Sequence, residues 1–188
     1  ENVALDTLEA YKYYLKSESY DKTLLPNIYD LTRTHLVMGN HNKALAGAEN
    51  LIYNKYPSDV EALSIAMDIA RRMQDKDALM HYSYQMLEAK PEDVKILFDL
   101  TVEHFLRGEF DQAQNLVAGL VRYKHPNEIK ALRMAIHISL EAEDYQASAQ
   151  YCRQLLKVKP EDSFIQKVLH LLNTSEDKSE IKFLFRQS

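Results

Sequence analysis

Four prolines, Pro57, Pro91, Pro126 and Pro160, recur at intervals of 34, 35 and 34 residues. This spacing limits what the chain can fold into more than any other feature. Ala44, Ala78, Ala113 and Ala147 keep the same intervals, each 13 residues before one of the prolines. Two residue types held in one register mark an internal repeat with the length of a helix-turn-helix. Twelve residues before each alanine stands Thr32, Ala66, Thr101 or Ala135. All four are small, as the close approach of two helices requires.

Apolar residues around these positions follow a helical period. Leu31, Ile65, Leu100 and Met134 come one residue before the small position, and Ile69 and Ile138 come three after it. Each repeat is therefore expected to be two amphipathic helices. Their inner turns fall at Gly39-Asn40, Met73-Gln74-Asp75, Gly108-Glu109 and Ala142-Glu143-Asp144, where glycine or short polar residues end the first helix. After each proline comes a Ser-Asp, Glu-Asp or Asn-Glu pair. Proline cannot continue the preceding helix, and the polar residues that follow cap the next one and complement its dipole. Composition agrees: only 4 glycines and 5 prolines leave little material for the tight turns of an all-β fold.

With a small residue in the first helix, glycine in the turn, alanine in the second helix and proline at its end, the chain resembles the tetratricopeptide repeat family. Residues 106–126, LRGEFDQAQNLVAGLVRYKHP, come nearest to the family pattern. The position where the family has an aromatic, near the start of each first helix, holds Ile28, Ala62, Leu97 or Ala131. The resemblance implies an all-α, right-handed superhelical solenoid of helix-turn-helix repeats, an α-α superhelix, as a single array over residues 1–188. Repeats are expected at 26–57, 58–91, 92–126 and 127–160, with C-terminal capping helices over 161–188. Residues 3–16 read as an unpaired second helix or an N-terminal cap. The chain begins at Glu1, and the array reads as cut from a longer one.

Several functions are disfavoured by the same residues. Lys and Arg total 23 against 28 Asp and Glu, a net charge of -5 with the signs interspersed. Nucleic-acid binders usually carry a basic stripe, so no nucleic acid is expected. No apolar run approaches the roughly 20 residues of a membrane-spanning helix, so no membrane insertion is expected. The single Cys152 reads as a small buried hydrophobe. Neither a glycine-rich phosphate loop, a cysteine pair, His-Glu-x-x-His nor a serine between glycines occurs, so the chain is expected not to be an enzyme and to need no cofactor or metal. His35 and His104 hold equivalent positions two repeats apart, too distant to share a metal ion. The carboxylates Glu92, Asp93, Glu161 and Asp162 are expected to cap helices.

In the family, the first helix of each repeat lines a concave groove. The resemblance places Tyr29, Arg33 and Leu36, Leu63, Met67 and Ala70, Phe98, Val102 and Phe105, and Leu132, Ile136 and Ser139 there, three before, one after and four after the small residue. Lys95 joins Arg33 as a groove cation, too few for a carboxylate clamp. The expected function is a non-catalytic protein-protein interaction module or scaffold whose partner is an apolar or amphipathic peptide or helix of another protein. Large exposed apolar surfaces usually mark such sites. Alternatives are that the chain's own terminal segments fill the groove, that the module assembles as a homo-oligomer, or that it is a repeat domain of a larger enzyme or complex. Tyr82 and Tyr151 are expected to pack between helices with their hydroxyls in solvent.

Overall fold

The computed structural model describes residues 25–54, 59–125, 127–174 and 178–186, and these are helical with no strand among them. The expected helix at 3–16, and Pro57 and Pro126, lie outside the described residues. The chain divides into two compact units, Glu1–Pro91 and Glu92–Ser188. The first contains α1 (Leu25–Val37), α2 (His41–Asn54), α3 (Val60–Met73) and α4 (Lys76–Ala89). The second contains α5 (Val94–Leu106), α6 (Phe110–Arg122), α7 (Glu128–Glu141), α8 (Tyr145–Val158), α9 (Ser163–Thr174) and α10 (Ser179–Arg186). Within each unit consecutive helices pack on one another, and in the second α10 also returns to α7.

Caps set where the first helices begin. Asp59 accepts the backbone N–H groups of Glu61 and Ala62 at 3.0 and 3.1 Å, and Asp93 accepts those of Lys95 and Ile96, both at 3.1 Å. Asn127 takes the N–H of Lys130 at 2.9 Å, and Asp162 that of Ile165 at 3.2 Å. Each bond satisfies a donor that the first turn would otherwise leave without a partner. Of the carboxylates expected to cap, Asp93 and Asp162 do so.

The inner turns share one geometry. The N–H groups of Asn40, Asp75, Glu109 and Asp144 reach back to the carbonyls of His35, Ala70, His104 and Ser139 at 2.9, 3.0, 2.9 and 2.8 Å. This six-to-one closure needs a left-handed residue just before the donor. Gly39 and Gly108 supply it at φ 74° and 75°, and Gln74 and Glu143 adopt the same region at φ 56° and 61°.

The small positions bring helices together as expected. Thr32, Ala66, Thr101 and Ala135 are all buried. A Cβ added to Gly47 on α2 would stand 2.3 Å from Thr32 Oγ1 on α1, so that crossing depends on glycine. Of the register alanines, Ala44 and Ala113 are buried, while Ala78 and Ala147 keep part of their surface. Around these contacts lie Leu51, Ile52, Leu63 and Ile69 in the first unit and Leu120, Leu132, Ile136, Ile138 and Leu140 in the second. Each such side chain contributes about 2 kcal/mol on leaving water.

Candidate functional site

Within the second unit, the end of α5, one face of α7 and the end of α10 border an open cleft of about 350 Å³. Phe105, Lys130, Arg133, Met134, His137, Ile138 and Phe185 line it. Its wall is a chain of rings. Phe105 lies 5.7 Å from Phe110 and 4.9 Å from His137, His137 lies 5.3 Å from Phe185, and Phe185 lies 5.4 Å from Phe164. All are tilted contacts in the range that favours aromatic packing.

Two cations sit beside this apolar wall. Lys130 places its Nζ over the Phe98 ring, 4.6 Å from the centroid. Arg133 donates from Nη2 to Asp162 Oδ2 at 2.7 Å, and Lys159 Nζ lies 3.7 Å from the same oxygen. Burial alone would raise the Asp162 carboxyl. The Ile165 N–H bond, the Arg133 hydrogen bond and charge, and the Lys159 charge outweigh it and hold the group below the usual carboxylate range. Asp162 therefore both starts α9 and fixes the guanidinium at the cleft edge. His137 reaches Glu141 at 3.6 Å. Apolar walls with cations at the rim suit an apolar side chain that has an acidic neighbour.

The residues expected to form a groove divide sharply. Leu63, Met67 and Ala70 on α3, and Leu132, Ile136 and Ser139 on α7, are buried inside their units. They are corrected from surface to core, because each of these helices is covered from more than one side. α3 packs between α2 and α4 and touches α1, and α7 packs against α6, α8 and α10. Leu36 is buried as well. Tyr29 and Arg33 are engaged along the edge of the first unit, the Tyr29 hydroxyl donating to Asp59 and the Arg33 guanidinium to Glu61. Lys95 is exposed near the start of α5, and Phe98, Val102 and Phe105 are half-buried. Phe105 alone of the expected set lines the cleft.

Sequence reasoning missed Lys130, Arg133, Met134, His137, Ile138 and Phe185. The α7 residues lie around the small Ala135 at offsets beside those the family frame selects, so a register rotated by part of a turn would have found them. Phe185 belongs to no repeat and falls in the expected C-terminal capping stretch, 161–188, where no register marks it.

Other singled-out residues serve the interior. Tyr82 is buried and its hydroxyl donates to Glu49 Oε1 at 2.8 Å, so it does not reach solvent as expected. Tyr151 is half-buried, and burial, then the Asp144 charge, raises its phenol. Cys152 is fully buried, which pushes its thiol up to about 12. His35 and His104 are both buried. Burial and then the Lys43 charge lower His35, while His104 Nδ1 lies 2.5 Å from Glu109 Oε2. Among the described residues no group of three or more His, Cys, Asp or Glu is placed to hold a metal ion, and no helix is long and apolar enough to cross a membrane.

No family model matches the chain, and no curated protein matches it. Among solved structures, PilW, described as a widely conserved type IV pilus biogenesis factor, aligns with a TM-score of 0.41 at 13% identity, covering 90% of this chain and 80% of that chain. At that level the likeness carries no functional inference.

Proposed function

We propose that this chain is a non-catalytic protein-interaction module of the tetratricopeptide kind, its helical hairpins continuing as a right-handed superhelical solenoid. The cleft of the second unit holds an apolar or amphipathic segment of another protein that carries an acidic residue beside its apolar anchor. The observation behind this reading is the placing of Lys130 and Arg133 at the edge of a wall built from Phe105, Met134, His137 and Phe185. An aromatic wall supplies burial, and fixed cations supply direction and selectivity. The six-to-one turn repeated at Gly39, Gln74, Gly108 and Glu143 supports the repeat architecture.

Selection from a random-peptide display library on the full chain tests the reading, with a Lys130→Glu/Met134→Asp chain for counter-selection. Lys130 is exposed and Met134 half-buried, so the double variant should keep its helical circular dichroism and its melting point to within a few degrees. Enriched peptides should pair an acidic residue with a large apolar one and bind the variant at least about tenfold more weakly, about 1.4 kcal/mol. Peptides that bind both chains equally, or no enrichment at all, would remove the cleft from consideration.

A further inference from the structure

α10 is an eight-residue helix lying on α7 and α9. It presents Ile181 and Phe185, four residues apart, to a cluster that includes Leu132, Ile136 and Leu140 of α7 and Cys152 and Leu155 of α8. Both anchors are buried, while Phe183 on the opposite side is 60% exposed. Two lysines fix its position. Lys182 Nζ donates to Glu143 Oε1 at 3.0 Å, and Lys178 Nζ donates to the Leu171 and Leu172 carbonyls at the end of α9 at 3.3 and 2.7 Å.

This is the geometry of an amphipathic helix laid in a groove, with ligand and receptor on one chain. A helix this short does not persist in water without packing, so α10 is helical only while docked. Its hold rests on two buried side chains, whereas α9 beneath it buries Ile165, Val168 and Leu172. Elements with few buried contacts open first, well below global unfolding. When α10 leaves, the cluster loses Ile181 and Phe185, and the cleft loses its Phe185 wall.

We propose that the groove on α7 is a docking site for an amphipathic helix from a partner protein, and that α10 is its resident competitor. The incoming helix carries large apolar residues four positions apart, with a cation directly after the first, where Glu143 receives it. α10 itself displays this pattern as Ile181, Lys182 and Phe185. The inference rests on the interaction-module reading and concerns the face of α7 that α10 covers, adjoining the cleft.

The test uses the full chain and a labelled peptide of residues 178–188. An Ile181→Asp/Phe185→Asp chain should bind this peptide at least about tenfold more tightly than the wild-type chain, whose groove is occupied. Adding Glu143→Lys to that variant should weaken binding again. Equal binding by the two chains overturns the proposal, as does a wild-type mass that doubles with concentration through exchange of α10 between copies. If the double variant fails to fold, hydrogen exchange on the wild type decides. Amides of α10 exchanging about a hundredfold faster than those of α7 support release, and equal protection overturns it. Because the probe is α10's own sequence, failure here leaves the library selection on the cleft standing, and failure of that selection leaves this result standing.

Discussion

α5 and α7 occupy the same slot in successive repeats, yet they treat the same positions differently. Phe98, Val102 and Phe105 remain half-open on α5, while Leu132, Ile136 and Ser139 on α7 are closed. Within the second unit α7 is flanked by α6 and α8 and covered again by α10. A slot in a repeat thus decides which way a side chain points, and the neighbours decide whether that direction is surface or interior. The first unit teaches the same lesson with α3, where Leu63 and Met67 are buried. The chemistry beside the small residue diverges too. α3 places Ser64 and Asp68 where α7 places Arg133 and His137, and Asp68 is engaged by Arg72 on its own helix at 3.1 Å. The Arg133 and His137 of the cleft therefore have no counterpart at the same slots of α3.

The largest effect should come from truncating the same slot on both helices. Ile136→Ala removes a fully buried side chain and should cost about 3–4 kcal/mol, whereas Val102→Ala, at a half-open site, should cost about 1 kcal/mol or less. Urea unfolding followed by circular dichroism measures both. Similar losses would mean that the two helices are covered alike, and the contrast would collapse.

The capping aspartates sharpen the comparison. Asp93 caps α5 through two backbone bonds, while Asp162 caps α9 through one and also anchors Arg133. Asp93→Ala should cost about 1 kcal/mol. Asp162→Ala should cost about 2 kcal/mol, because it also leaves the Arg133 guanidinium without its buried partner. Because the folded-state pKa of Asp162 is lowered, the unfolded chain binds its proton more readily. The stabilisation is complete above the ordinary carboxylate pKa of 3.8 and is lost as pH falls through the folded value. The wild-type chain should therefore lose stability as pH falls below about 4, a component absent from Asp162→Ala, and in Arg133→Ala that component should shrink toward what the Ile165 cap and Lys159 supply.

Much of the fold was legible because its signals are local. The small residues Thr32, Ala66, Thr101 and Ala135, and the capping aspartates, act on their own helices or on the next helix in the chain, and the structure places them accordingly. The site was far less legible. Met67 and Ile136 carry the same apolar signal as Phe105, and nothing in the repeat says which of them a neighbour covers. Phe185 lies in a tail with no register, and its place against His137 is set by the return of α10 to α7. The cations Lys130 and Arg133 read as ordinary helix-surface charges until Asp162 and Phe98 are seen to hold them.

The smallest effect concerns the turns, where the two units differ in kind within themselves. Gly39 and Gly108 enter the left-handed region freely, while Gln74 and Glu143 enter it against the steric preference of a side chain. Replacing either with glycine relieves that strain and loosens the unfolded chain, and the first effect exceeds the second at a left-handed site. Gln74→Gly should therefore raise stability by about 0.5–1 kcal/mol. Glu143→Gly should gain less, since it gives up the contact with Lys182 that helps seat α10. Paired urea midpoints would separate the two. A larger gain at position 143 than at 74 would show that the Lys182 contact contributes nothing to docking, and would locate the hold on α10 entirely in Ile181 and Phe185.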